Sequence, residues 1–178
     1  MIRGMKIVLI GGMALAFATP LLAQTPSKPR RLETPHVAVT PLAVAGSVAP
    51  GARVSLRLDV APKPTMHVYS PEQKDYIPVS LTIENNAAFT AQPAVFPTPE
   101  KYFFKALGET QLVYSKPFQI VQDVTIRSTP ALRDRARTKG ATLVVKGTLE
   151  YQACDESVCF RPASVPVEWT VPLAALKK

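Results

Sequence analysis

The stretch ATLVVKGTLEYQACDESVCFRPASVPVEWTVPL, residues 141–173, contains two alternating patterns separated by a pair of cysteines. Apolar and polar residues alternate over 142–151 and again over 165–173, as in strands with one buried and one solvent-facing side. Pro166 and Pro172 in the second run favour a strand at a sheet edge, where a missing N–H is tolerated. Cys154 and Cys159 are therefore predicted to lie in the connection between two neighbouring strands.

The rest of the chain is also dominated by strand-like patterns. The same alternation occurs at 54–60 and 79–83, and shorter candidate strands lie within 36–46, 66–70, 111–115 and 117–126. Eighteen prolines argue against long helices. One helical turn is predicted at 130–140, which Gly140 would end. Many short strands without intervening helices predict an all-β protein, an antiparallel β-sandwich.

The N-terminus has the order of a secretory signal peptide. Arg3 and Lys6 precede an apolar run over 7–18, and small residues precede Gln24. A membrane-spanning helix needs about 20 apolar residues, and this run is shorter, so no stable membrane insertion is expected after cleavage. We therefore predict a signal peptide over 1–23, a flexible Pro-rich leader over 24–35, and one exported domain over 36–178. The predicted location is the periplasm, where a disulfide can persist.

The formal net charge of +8 raises the question of a nucleic-acid partner. The densest basic segment, 127–139, includes Asp134 and lacks interleaved aromatic residues. In an exported protein this pattern favours a solvated surface, so no nucleic acid is expected as a partner.

Three uses of the cysteine pair are open from the residues alone. A structural disulfide across four intervening residues would remove little chain entropy, about 2 kcal/mol. Zinc would need four ligands, and the chain has one cysteine pair and two histidines. Met66 and His67 with the thiols could bind copper. A redox pair needs one accessible thiolate and one resolving thiol.

The charges next to the two cysteines differ in sign. Arg161 lies near Cys159 and favours a thiolate there, whereas Asp155 and Glu156 disfavour a thiolate at Cys154. Cys159 is therefore predicted to be the first nucleophile.

Three segments resemble one family, the N-terminal periplasmic domain of the thiol:disulfide interchange protein DsbD. YQACDESVCFRP (151–162) followed by PVEWTVPL (166–173) resembles its active-site hairpin. PTMHVYSPEQKDYIPVSLTI (64–83) resembles its early strand, with a His/Tyr-x-Tyr pattern. FPTPEKYFFKALGETQLVYSKPFQI (96–120) resembles its cap segment.

The resemblance implies an immunoglobulin-like sandwich in which an aromatic cap covers the cysteine pair. Cys159 would form a mixed disulfide with a thioredoxin-fold partner, and Cys154 would resolve it. The dithiol would carry two electrons without a metal or an organic cofactor, as in a protein-disulfide reductase-type oxidoreductase. Phe103 or Phe104 would be the aromatic residue of the cap, and the alternative for both is ordinary packing. The other residues around the pair would be Tyr69, Tyr151, Phe160 and Arg161. The alternating pattern equally places Tyr151 in the core.

Two features depart from the best-known members of the family. The cysteines have four residues between them instead of five, and the chain ends at LAALKK, a few residues past the last predicted strand. We therefore expect a separate membrane protein to supply electrons. The alternative interpretation is a non-catalytic binding or adaptor module with a structural disulfide.

Overall fold

The computed structural model describes residues 30–105 and 108–175, so the predicted signal peptide lies outside the described residues. Nearly all of the described elements are strands, and each strand pairing between them is antiparallel. In chain order they are β1 (Leu32–Glu33), β2 (Val37–Pro41), β3 (Arg53–Pro62), β4 (His67–Tyr69), β5 (Ser80–Ile83), β6 (Phe89–Ala91), β7 (Glu100–Phe104), β8 (Glu109–Tyr114), β9 (Phe118–Ile126), α1 (Pro130–Ala136), β10 (Thr142–Tyr151), β11 (Ala153–Cys154) and β12 (Ala163–Pro172).

The strands form three sheets. The first has the order β1-β2-β3-β9-β6, the second β12-β10-β5, and the third β11-β4-β8-β7. The third sheet adjoins the second, because β11 follows β10 after a single residue, Gln152. The inward faces of the first two sheets supply a common apolar core, to which β3, β9, β10 and β12 contribute alternate residues.

The strand and edge predictions are confirmed. Alternate residues are buried along β3, β9, β10 and β12, as the sequence pattern requires. β12 pairs with β10 on one side and forms the end of its sheet, which explains how Pro166 and Pro172 are accommodated. The predicted helical turn is α1, capped by the Thr129 side chain, and Gly140 beyond it has a φ of 75°.

The C-terminal end of the predicted leader, 24–35, pairs with the first sheet. Leu32 and Glu33 pair with β2, and the hydroxyl of Thr34 lies 2.7 Å from that of Tyr151. Composition predicted a linker here, but the backbone of Leu32 and Glu33 pairs with β2, which would otherwise be the edge of the first sheet. Residues 24–29 of the predicted leader lie outside the described residues.

Gly147 lies at the middle of β10, between β12 and β5. A Cβ atom there would lie 2.8 Å from the backbone oxygen of Thr82 and 3.0 Å from Cδ1 of Ile83. Gly147→Ala is therefore expected to lower the free energy of unfolding by about 1–3 kcal/mol, because β5 must move. Urea denaturation measures this, with Lys146→Ala at the exposed neighbouring position as control. An unchanged midpoint for Gly147→Ala would contradict the expected clash.

Candidate active site

A tight loop presents the two cysteines at one end of the sandwich. Cys154 ends β11, and the chain turns back so that Cys154 and Cys159 form an antiparallel bridge. The carboxylate of Asp155 shapes the turn, because its Oδ1 accepts hydrogen bonds from the N–H groups of Ser157 at 2.7 Å and Val158 at 2.8 Å. These hydrogen bonds also lower the pKa of Asp155.

The cysteines are joined in a disulfide, with the sulfurs 2.03 Å apart. Their exposure differs sharply, since Cys154 is 1% exposed whereas Cys159 is exposed to solvent. Arg161, two residues after Cys159, is also exposed. Of the two cysteines, Cys159 is therefore the more accessible to an incoming thiol, and its assignment as the first nucleophile stays a prediction.

The pairing of β11 with β4 decides which side chains surround Cys154. Ala153 lies opposite Val68, and both belong to the main core. Cys154 lies opposite His67 and so shares the other face with it, and Tyr69, two residues further along β4, lies on that face too. Alternation in two short strands thus gathers a second, smaller cluster around the disulfide.

Tyr69 contacts both sulfurs of the disulfide. Its hydroxyl oxygen lies 3.5 Å from Sγ of Cys154 and 3.5 Å from Sγ of Cys159. Burial, followed by the charges of Tyr76 and Glu109, raises the pKa of Tyr69 to about 12. The hydroxyl therefore keeps its proton at neutral pH and can donate to whichever sulfur carries negative charge.

A polar network lies behind Tyr69 and links it to β8. The rings of Tyr69 and Tyr76 stack with centroids 4.3 Å apart, and the Tyr76 hydroxyl donates to the carboxylate of Glu109. Nε2 of Gln111 donates to the same carboxylate at 2.8 Å and to the Tyr76 oxygen at 3.2 Å. These donors lower the pKa of Glu109. The sequence analysis missed Tyr76, Glu109 and Gln111, because no pattern connects residues so far apart in the chain.

His67 is the other polar group of this cluster. It is 4% exposed, and no atom in the described part of the chain forms a hydrogen bond with its Nε2. Its ring meets that of Tyr69 edge-on at 5.7 Å and lies 5.3 Å from that of Tyr102. Burial lowers the pKa of His67, and the nearby charge of Asp155 opposes this in part.

The hairpin of β7 and β8 faces the cysteine loop. A cleft of about 370 Å³ is lined by Lys105, Glu156 and the three aromatic residues that end β7, Tyr102, Phe103 and Phe104. Tyr102 packs against the cluster that contains Cys154, while Phe103 on the opposite face of the strand is 57% exposed. Phe104 shares the face of Tyr102, with ring centroids 6.5 Å apart. The cap role of Phe103 or Phe104 stays a prediction, and Tyr102 joins them as a candidate.

Tyr151 and Phe160, the remaining predicted residues, contact other parts of the domain. Tyr151 belongs to the main core and its hydroxyl bonds with Thr34. Phe160 stacks on His36 with ring centroids 4.0 Å apart. In the described ranges, no group of three or more histidine, cysteine or acidic side chains is arranged to hold a metal ion.

Comparison with known families assigns the chain. A sequence model described as "Thiol:disulfide interchange protein DsbD, N-terminal" matches residues 36–168. The chain belongs to this family. Membership confirms the predicted resemblance and supports a thiol:disulfide interchange domain. The family's fold is an immunoglobulin-like β-sandwich, in agreement with the antiparallel sheets of this DsbD-type domain.

Solved structures give weaker similarities. The N-terminal periplasmic domain of ScsB from Proteus mirabilis aligns with a TM-score of 0.49 and 14% identity, covering 82% of this chain and 50% of that one. This chain thus spans about half of the ScsB chain that it matches. The GAE domain of GGA2p from Saccharomyces cerevisiae aligns with a TM-score of 0.40 and 9% identity, covering 82% and 98% of the two chains. Curated proteins gave no match.

The described ranges, 30–105 and 108–175, include no helix that is both long and apolar enough to cross a bilayer.

Proposed function

We propose that this domain is a periplasmic protein that passes electrons between thioredoxin-fold partners through the Cys154–Cys159 pair. The observation that carries the proposal is the pairing of one exposed and one buried cysteine in a single disulfide. This arrangement lets a partner reach one sulfur while the other is kept for resolution.

The exchange proceeds in two balanced steps. In the reduced domain, the thiolate of Cys159 attacks the disulfide of an oxidised partner, and one partner thiolate leaves as a mixed disulfide forms. Cys154 then loses its thiol proton and attacks the sulfur of Cys159, which expels the second partner thiolate. The domain ends with a disulfide, and the partner has gained two electrons and two protons. No metal or organic cofactor takes part.

A protein partner is part of the proposal, and several site residues have an exposed apolar neighbour in the sequence. Three exposed apolar side chains are sequence neighbours of site residues: Ile77 follows Tyr76, Phe103 follows Tyr102, and Val158 precedes Cys159. Exposed apolar groups of this kind mark interaction surfaces when they cluster. Partners with a thioredoxin fold, and a separate membrane protein as electron donor, are part of the proposal on the basis of the family.

The reduction potential of the pair tests the proposed function. The chain lacking residues 1–23 would be equilibrated in graded thiol buffers, and its alkylated cysteines counted by mass. We expect a potential above about −300 mV, because structural disulfides of exported proteins lie below that value. We also expect the reduced protein to remain folded, since the strands next to the loop are held by their own hydrogen bonds. A potential below that value, with loss of stability on reduction, would instead support a binding module with a structural disulfide.

A further inference from the structure

His67 occupies a position that the two exchange steps above leave without a role. It lies directly across the β4–β11 pair from Cys154, where facing side chains have Cβ atoms about 4.5–5.5 Å apart. Its Nε2 is buried without a hydrogen-bonding partner among the described residues. A buried polar atom without a partner is costly, and its retention is explained when the atom acts on a neighbouring group.

Cys154 is the neighbouring group that requires a proton acceptor. With 1% of its surface exposed, it cannot pass its proton directly to water. Its own thiolate is disfavoured by burial and by the carboxylate of Asp155, the next residue. Resolution of the mixed disulfide nevertheless requires Cys154 to attack as a thiolate.

We propose that His67 accepts the thiol proton of Cys154 when Cys154 resolves the mixed disulfide; this inference rests on the proposed exchange function. As the Sγ–H bond of Cys154 breaks, its proton moves to the imidazole, and its electron pair forms the bond to Sγ of Cys159. The mixed disulfide breaks, and the partner thiolate leaves with its electron pair. In the reverse direction, imidazolium returns the proton to Cys154 as that sulfur is expelled.

The groups around His67 suit a proton acceptor. Burial keeps the imidazole neutral and so able to accept a proton. The titratable groups that face it are Tyr69 on its own strand, Tyr102 from β7, and Cys154 and Asp155 from β11 and its loop. Tyr69 keeps its proton at neutral pH, and the carboxylate of Asp155 is placed to stabilise the imidazolium that forms.

A two-phase reaction tests the role of His67. The reduced protein would be mixed with dithiobis(nitrobenzoate), a disulfide that releases a coloured thiolate when attacked. The first equivalent reports attack by Cys159, and the second reports resolution by Cys154. In His67→Phe, which keeps an aromatic ring between Tyr69 and Tyr102, we expect an unchanged first phase. We expect the second phase to slow about 100-fold at neutral pH, within the usual range for loss of a general base.

The pH profile of the second phase separates proton transfer from a structural effect. In the unaltered protein, the rate should rise with pH until His67 is deprotonated and then stay constant. This plateau should already begin at a pH below about 6.5, because the pKa of His67 is lowered from that ordinary value. In His67→Phe, only hydroxide remains as base, so the rate should rise about tenfold per pH unit across the same range. Slower resolution with an unchanged profile would overturn the proposal.

A matched control and a second variant complete the test. His36→Phe alters the other histidine, which stacks on Phe160 of the same loop, and should leave both phases unchanged. If His67→Phe does not fold, His67→Gln serves, with the same expected profile. An unchanged second phase in the folded variant would exclude His67. Absence of the first phase in the unaltered protein would instead overturn the proposed exchange function.

Discussion

Cys159→Ser is expected to reduce disulfide exchange to the uncatalysed rate, whereas Cys154→Ser should attack once and then stop. Cys159 is the exposed cysteine, which a partner can reach, whereas Cys154 is almost completely buried. Without Cys154 the mixed disulfide has no internal thiol to resolve it, so the partner stays covalently attached. Mass spectrometry of both variants, after reaction with dithiobis(nitrobenzoate) or with a periplasmic extract, measures the adducts.

Ser157→Ala is the matched control, since Ser157 lies in the same loop and uses its backbone N–H, not its hydroxyl, to bond with Asp155. It should exchange like the unaltered protein. A stable adduct on Cys159→Ser and none on Cys154→Ser would reverse the two roles. Absence of adducts on both variants would contradict the exchange function itself.

Much of the sandwich could be predicted because each long strand has one face in the core and one in water. In β10, Leu143, Val145 and Leu149 lie on one face of the predicted strand and are buried in the structure, whereas Lys146 and Glu150 on the other face are exposed. The strand β7 could not be predicted in this way, because its residues alternate between exposed and partly buried and neither face is fully buried. Its side chains face the cysteine loop instead of the main core, so its pattern lacks the usual contrast.

The site itself could be predicted only in part. The sequence pointed to the cysteine pair, and the family resemblance pointed to Tyr69. The choice between Tyr102 and its neighbours depends on which face of β7 meets the Cys154 cluster, and sequence does not fix that face. His67 was weighed as a copper ligand, but its position relative to Cys154 follows from the register of two very short strands. Register of this kind is decided by tertiary packing, not by local pattern.

Trp169→Ala is expected to lower the free energy of unfolding by about 3–5 kcal/mol, the usual cost of removing a buried indole. Trp169 is 2% exposed, and its Nε1 donates to the backbone oxygen of Arg57 at 2.9 Å. Because Trp169 lies on β12 and Arg57 on β3, the side chain joins the two main sheets. Urea denaturation of the oxidised protein measures the loss.

The hydrogen bond and the buried volume of Trp169 can be separated. Trp169→Phe removes the N–H but leaves the Arg57 oxygen bonded to the N–H of Leu42, so a hydrogen-bond contribution of about 1 kcal/mol is lost along with part of the volume. Thr170→Ala, at the exposed neighbouring position, should change stability by less than about 0.5 kcal/mol. Since Trp169 packs in the main core and Cys154 packs in the other cluster, folded Trp169→Ala should react with dithiobis(nitrobenzoate) at the normal first-phase rate. A slowed first phase would mean that the sandwich core also sets the reactivity of Cys159, and a loss of stability no larger than that of Thr170→Ala would exclude Trp169 as the tie between the sheets.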